Sequence, residues 1–402
     1  MKETSDSVTP PAPPRMLEWI QKNLFNGWLN SALTLLALVF LYFVVVSTIR
    51  WALFTADWRP VTTAPLLFLV GQYPREALWR PGLCLLMSAF MIGLSWGIWP
   101  RYLKAFSIFL AISLGGMAVI PLETPTITLG VRVVFLIASL LIFAAYLLGR
   151  SKFINARLAI LLWTIVAVLI SLVLLPGIPG SSALPSIPTT AWGGLLITLL
   201  LAIGGILLSF PIGVLLALGR RSSLPVVKIF SILFIEVIRG VPLVTILFMF
   251  SVILALFLPA ESRIDRVLRA LMGMVVFSAA YTAENVRGGL QAIPPGQIEA
   301  AKALGLNGFQ STILIVLPQA LRLVIPAIVG QFISLFKDTT LVVIVGINDL
   351  LGVGNSVLKL SPEFFRLQME VYLFIAAIFW IFSYFMSYAS LQLEKSLGVG
   401  ER

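Results

Sequence analysis

In 402 residues this chain has 28 Lys and Arg, 17 Asp and Glu, no histidine and one cysteine, which restricts the chemistry it can carry. Without imidazole there is no histidine general base, no Ser-His triad and no Cys/His zinc site; a lone thiol closes no disulfide. Cys84 lies in an apolar stretch and reads as a packing residue. The sequence has no G-x-x-x-x-G-K-[ST] phosphate loop, and no clustered carboxylates that would hold a metal. Four places remain where ionisable groups are grouped. Arg239 precedes Gly240-Val241-Pro242; Glu284 and Arg287 are spaced i, i+3; Lys337-Asp338-Thr339 lies within an apolar run; and a polar segment at 291–305 carries Glu299 and Lys302.

The elements that position these groups are membrane helices. Hydrophobic residues make up 59% of the chain and charged residues 11%, with mean hydropathy +1.03; a soluble domain carries about 25% charged residues. Apolar runs near the ~20 residues needed to cross a bilayer fall at 29–49, 83–99, 104–121, 129–149, 157–175, 192–218, 229–258, 268–289, 320–346 and 370–391. The expected fold is all-α and polytopic, with about ten transmembrane helices. Run 229–258 is too long for one straight span, and Gly240-Val241-Pro242 is expected to break it, because proline removes a backbone donor and clashes with the preceding turn. Trp96 and Trp99 are expected at interfacial depth. Residues 1–28 read as an N-terminal cytoplasmic tail, with the proline-rich stretch 1–15 too poor in apolar surface to order alone. Run 29–49 exceeds a signal-peptide core and reads as a retained span.

The net charge of +11 would suggest nucleic acid in a soluble protein. Here the loops explain it, since cytoplasmic loops collect Lys and Arg. Placing both termini and Arg101, Lys104, Arg150, Arg220, Arg221, Lys302 and Arg322 inside satisfies that rule, whereas the four arginines of 50–82 then face outward. The apolar stretch 64–71 in that loop suggests a re-entrant or surface helix. The Pro/Gly/Ser-rich loop 176–188 marks a boundary near residue 190. Before it, 29–190 reads as an extension of about five spans; after it, 191–392 carries the ionisable and glycine-rich segments, and 393–402 reads as a cytoplasmic tail.

Each charged group has a structural and a functional reading. Glu284 and Arg287 can pair on one helix face or reach to water near the cytoplasmic end of their span. Arg239 is either a positive-inside anchor or part of a gate, because broken backbone at membrane depth is tolerated where it lines protein or a cavity. A charge at the bilayer centre costs about 3 kcal/mol, so Lys337 and Asp338 must pair locally or face a polar path, which Thr339 would also line.

In the segment 291–305, Pro294-Pro295-Gly296 enforces a turn, and 297–304 reads as a helix about 12 Å long. Glu299 is expected in its first turn, where it complements the helix dipole. Ile298, Ala301 and Leu304 fall at i, i+3 and i+6 on one face, narrowed by Ala300, in the form of a knob for a socket. Gly305 follows where the chain turns with φ > 0. From physics alone this is a docking element or an ordinary capped loop helix.

Glu299-Ala-Ala, three residues, Gly305, nine residues and Ile315-x-Leu317-Pro318 resembles the EAA signature of ATP-binding-cassette importer permeases, matching at every position. The likeness extends over 192–392 to the polar amino-acid branch, through Phe210-Pro-Ile-Gly213, Ile235-Glu-Val-Ile-Arg239-Gly-Val-Pro242, Ala283-Glu284-Asn-Val-Arg287-Gly-Gly289 and Lys337-Asp338-Thr-Thr-Leu341; Thr340 stands where the branch often has serine. The long first half resembles the larger permeases of the general L-amino-acid transport system. This resemblance implies a C-terminal five-helix type I importer core with a coupling loop at 291–318, in which Ile298, Glu299, Ala300, Ala301, Leu304 and Gly305 meet an ATPase. It further implies an ATPase dimer carrying the ATP and Mg, a second homologous permease, a periplasmic amino-acid-binding protein and a bacterial inner membrane. The chain itself would be no enzyme and would bind no cofactor, metal or nucleic acid. The rival is an ion-coupled carrier of small polar solutes, with Glu284, Lys337 and Asp338 as its sites.

Overall fold

The computed structural model describes residues 16–120, 127–151, 154–257, 259 and 264–398. Among them the chain is helical, apart from two isolated backbone bridges. It divides into two compact units, Met1–Asp57 and Trp58–Arg402.

The first unit contains α1 (Met16–Leu24) and α2 (Trp28–Phe54). Gly27, at φ +98, turns the chain between them, and the Thr34 hydroxyl donates to Leu24 O at 2.7 Å. Within the segment 1–28 a helix begins at Met16, and residues 1–15 lie outside those described. Twenty-seven residues make α2 about 40 Å long. It is apolar all round, and none of its residues is buried within the chain.

In the second unit, the part preceding residue 190 comprises α3 (Arg59–Thr63), α4 (Pro65–Val70), α5 (Trp79–Ile98), α6 (Pro100–Val119), α7 (Leu129–Arg150) and α8 (Ala156–Leu169). The apolar stretch 64–71 is the short helix α4, tucked into the protein with Phe68 buried. Ala138 and Ala145 on α7 are fully covered, which lets α5 and α7 approach closely. Trp96 is packed within the protein: its ring lies 4.2 Å from that of Tyr146 and is 7% exposed. α8 packs on α5, where the Trp163 indole N–H donates to Ser95 Oγ at 2.8 Å.

The second part contains α9 (Gly194–Arg220), α10 (Pro225–Arg239), α11 (Leu243–Phe248), α12 (Leu254–Phe257), α13 (Arg266–Gln291), α14 (Pro295–Ala303), α15 (Gly308–Gln310), α16 (Leu317–Asp338), α17 (Leu350–Val357) and α18 (Gln368–Leu397). α13 is the central element and packs against α9, α10, α11 and α16. Nine helices among the described residues are long and apolar enough to cross a membrane. A tenth candidate is the broken run: α10 and the α11–α12 segment meet at 108° across Gly240-Val241-Pro242. α18 continues to Leu397, so the tail expected from 393 begins as helix.

Residue 190 is not a structural boundary. The loop before it is anchored to the preceding helices, with Tyr73 donating to Leu175 O and the buried Arg80 donating to Pro185 O, both at 2.9 Å. Tyr73, Cys84, Leu174 and Trp192 then share one apolar cluster with Ile197 and Leu201 of α9. Proline and glycine here shape a packed crossing, not a linker.

Candidate functional site

The polar segment after α13 forms a helix, and the backbone explains why. Pro295 opens α14, where its fixed φ suits a first helical position and its missing N–H costs nothing. At the other end Leu306 N donates to Ala301 O and Gly305 N to Lys302 O, at 3.1 and 2.9 Å, a Schellman closure that requires the left-handed residue Gly305 at φ +79. An added Cβ at Gly305 would meet nothing within 4 Å, so conformation alone demands glycine there. The chain restarts at Gly308 under a capping box, Asn307 Oδ1 accepting from Gln310 N at 2.8 Å and Gln310 Oε1 accepting from Asn307 N at 3.0 Å.

Two expectations for this helix change. α14 starts two residues before 297, which leaves Glu299 beyond the first turn and away from the helix N-terminus. Ile298, Ala301 and Leu304 do not present one exposed face. Ala301 is 3% exposed, and Ile298 packs onto the cluster of Leu290, Ile293 and Val316. Those two side chains hold α14 against its own chain. Leu304 and Phe309, at 79% and 77% exposure, project away with Glu299, Ala300 and Gly305 also uncovered. The presented surface is thus the opposite side of α14 plus Phe309, which the heptad-like spacing did not reveal because it lies beyond the glycine turn.

A charge cluster joins the ends of three helices near this loop. Glu284 on α13 accepts from Arg287 Nε at 2.9 Å, and its second oxygen from Arg287 Nη2, a bidentate pair. Arg239 at the end of α10 stands 3.5 Å from Glu284, and Arg220 at the end of α9 stands 3.8 Å away. Arg220 also binds Glu236 of α10 at 2.7 Å. The Arg239 guanidinium lies 5.6 Å from the Tyr281 ring centroid, over its face. Three guanidiniums therefore face two carboxylates, with Glu284 common to three contacts. The i, i+3 spacing revealed the Glu284–Arg287 pair; Arg220 and Glu236 were missed, since only the 108° bend brings α10 across the ends of α9 and α13.

Lys337, Asp338 and Thr339 belong elsewhere. They lie at the end of α16, roughly 33 Å along it from Leu317, where the helix tightens into the 3₁₀ segment Thr339–Val345. The three sit within the candidate span Gly308–Val345 and not beside Glu284. Among the described residues no ion pair joins Lys337 to Asp338, because adjacent helical residues point apart. Asp338 receives the Ser334 hydroxyl at 3.5 Å. Thr339 is fully buried and donates to Phe336 O at 2.7 Å, so its hydroxyl serves the backbone and not a solute path.

Asp349 was also missed, although an acidic residue before Leu350-Leu carries an N-cap signal. Its Oδ1 accepts from Gly352 N at 2.9 Å and caps α17. The residue is fully buried, Oδ2 has no hydrogen-bond partner, and burial pushes its carboxyl up to about 6.

The family model for the binding-protein-dependent transport system inner membrane component matches residues 209–398. The inner membrane amino-acid ABC transporter permease protein YhdY of Escherichia coli K12 is 38% identical over 96% of this chain and 94% of its own length. The chain belongs to the amino-acid ABC transporter permeases. A second member, the glutamate/glutamine/aspartate/asparagine transport system permease protein BztC of Rhodobacter capsulatus, is 37% identical over 95% of this chain and 93% of its own. A crystal structure of an amino acid ABC transporter with histidines shares 30% identity over 50% of this chain and 92% of that one, with TM-score 0.46. As a permease of this family the chain is a multi-pass inner-membrane subunit whose ATP hydrolysis lies on a separate protein, and the family works with ATPase and substrate-binding partners. That membership sets aside the ion-coupled carrier.

Proposed function

We propose that this permease admits polar amino acids delivered by a periplasmic binding protein, paired in the membrane with a second, homologous permease and driven by an ATPase dimer that holds the ATP and Mg. The observation that carries the coupling role is the uncovered Leu304–Phe309 surface on a self-capped α14. An apolar knob beside Glu299, on a helix fixed by Ile298 and Ala301 from behind, suits a groove on a soluble partner. Both termini and α14 face the cytoplasm in this reading. The Glu284 cluster then acts as a latch: α9, α10 and α13 meet through Arg220, Glu236, Arg239, Glu284 and Arg287, so movement of α14 reaches the 108° bend through α13. Lys337 and Asp338 lie at the outer end of α16, where they meet the incoming solute. The names of these two relatives, amino acids for one and acidic amino acids with their amides for the other, support the substrate class.

A pull-down of the tagged chain in mild detergent tests the coupling role, comparing the natural sequence with Gly305→Asp. An ATPase subunit that co-purifies with the first and is depleted in the second is the expected result. Absence of any ATPase from intact, well-folded protein would overturn it.

A further inference from the structure

The first half of the chain meets the second through α6 on α18, through the apolar cluster around Tyr73 and Trp192, and through α3 and α4. α4 packs against both α9 and α17, and α3 against α18. Phe68 of α4 is 2% exposed and sits in a cluster with Leu350, Val353 and Val357 of α17; its ring meets that of Phe374 on α18 edge-on at 5.2 Å. Just beyond α4 the contact is backbone on backbone. Gly71 pairs with Trp192, and a Cβ on Gly71 would stand 2.5 Å from Gly193 Cα. The next residue of that strand-like stretch, Gly194, pairs with Asp349 and donates its N–H to Asn348 O at 3.0 Å. Three chain segments therefore cross at a point where side chains are absent: the end of α4, the start of α9 and the lead-in to α17.

α17 is fastened around this crossing. Asp349 caps it, Leu350 N donates to Thr198 Oγ1 of α9 at 3.0 Å, and beyond its far end Glu363 binds Arg59 of α3 at 3.4 Å. An eight-residue helix has little stability of its own. Its position is set by what covers it: α4 supplies one side of that cover, alongside α9, α18 and the 3₁₀ segment Thr339–Val345, while α3 packs on the neighbouring α18.

We infer that the first half of this permease is a brace: its α3–α4 segment fixes α17 at the outer end of α16, and so holds ready the outer surface that a solute-binding protein meets. The identity of that surface rests on the proposed function; the fixing of α17 does not. Hydrogen–deuterium exchange on the purified complex in lipid nanodiscs separates the two. Phe68→Ala should speed exchange of the Leu350–Val357 amides about tenfold. Leu94→Ala removes an equally buried side chain from the cluster of Met91, Ala145 and Ala159, which includes no residue of α4 or α17, and should leave those amides unchanged. Arg59→Gln, at an exposed pair, should speed exchange roughly twofold and serves if Phe68→Ala does not fold. In proteoliposomes Phe68→Ala should also raise roughly fivefold the binding-protein concentration giving half-maximal ATP hydrolysis, with the maximal rate kept. Unchanged α17 exchange, or equal acceleration by Leu94→Ala, would overturn the brace, as would a lowered maximal rate at unchanged half-saturation. A complex lacking an ATPase would instead sink the importer reading, with the exchange comparison still readable on the chain alone.

Discussion

α14 and α17 are short helices of nine and eight residues at opposite ends of α16, and they are stabilised by opposite means. Helices of this length are marginal in isolation, so each needs help from outside its own hydrogen bonds. α14 draws it chiefly from its ends, a proline start and a Schellman glycine, with Ala301 its one buried residue. α17 draws it from burial, with Leu350, Gly352, Val353, Gly354 and Val357 all covered. Capping leaves side chains free to meet another protein, whereas burial spends them on the chain's own core. The same helix length thus serves a partner-facing element in one place and a fixed element in the other.

The comparison breaks most visibly in transport. Gly305→Asp should lower ATP-driven uptake by at least about tenfold, because a left-handed non-glycine residue costs roughly 1–2 kcal/mol and puts a charge beside Leu304. Membrane insertion should be unchanged and the melting temperature should fall by at most a few degrees, since open space surrounds that position and only the backbone turn is strained. Uptake by vesicles loaded with ATP, alongside thermal unfolding, checks both; normal uptake would mean that the turn is not part of the coupling surface.

Leucine truncation sharpens the contrast in stability. Leu350→Ala on α17 should cost about 2–4 kcal/mol, the range for a fully buried leucine. Leu304→Ala should cost under about 0.5 kcal/mol yet reduce ATPase co-purification. Denaturant unfolding in detergent measures the difference, and equal costs would erase the distinction between the two helices.

How much of this was legible in the sequence differs between the same two regions. The α14 loop was readable because local rules govern it: proline, glycine and their spacing fix the turn regardless of the rest of the fold. Which face points outward was not readable, because that depends on Leu290, Ile293 and Val316 arriving from neighbouring helices. For α17 almost nothing was legible beyond an N-cap signal at Asp349. Its neighbours, Phe68 and Thr198, lie far off in the chain, and glycines 71, 193 and 194 matter through a backbone crossing that no local pattern encodes. The span count was readable from hydropathy, whereas the Glu284 cluster was half readable: the i, i+3 partner is local, but Arg220 and Arg239 come from other helices.

The cluster offers an intermediate test. Glu284→Gln removes one charge from among Arg220, Arg239 and Arg287, leaving guanidiniums crowded in a half-buried site, and should lower stability by about 2 kcal/mol. Glu236→Gln, at a more exposed partner, should change the melting temperature little. Matching losses from the two would show that Glu284 is not the hub.

The last test belongs to Asp349 and depends on pH. An aspartate ordinarily titrates near 3.9, and burial raises this carboxyl to about 6. Folding therefore favours the protonated form: the stabilisation is complete below about pH 4 and is lost as pH rises through 6. Arg266 does not relieve the charge, because its guanidinium donates to Gly346 O at 3.2 Å and forms no ion pair with Asp349. Asp349→Asn keeps an acceptor for Gly352 N and removes the ionisation, and asparagine caps helices as well as aspartate does. The variant should match the natural protein near pH 4 and exceed it at pH 8 by roughly 2–3 kcal/mol, read from melting curves across that range. Parallel curves would mean that the carboxylate is solvated when ionised, and α17 would then be less enclosed than its burial indicates.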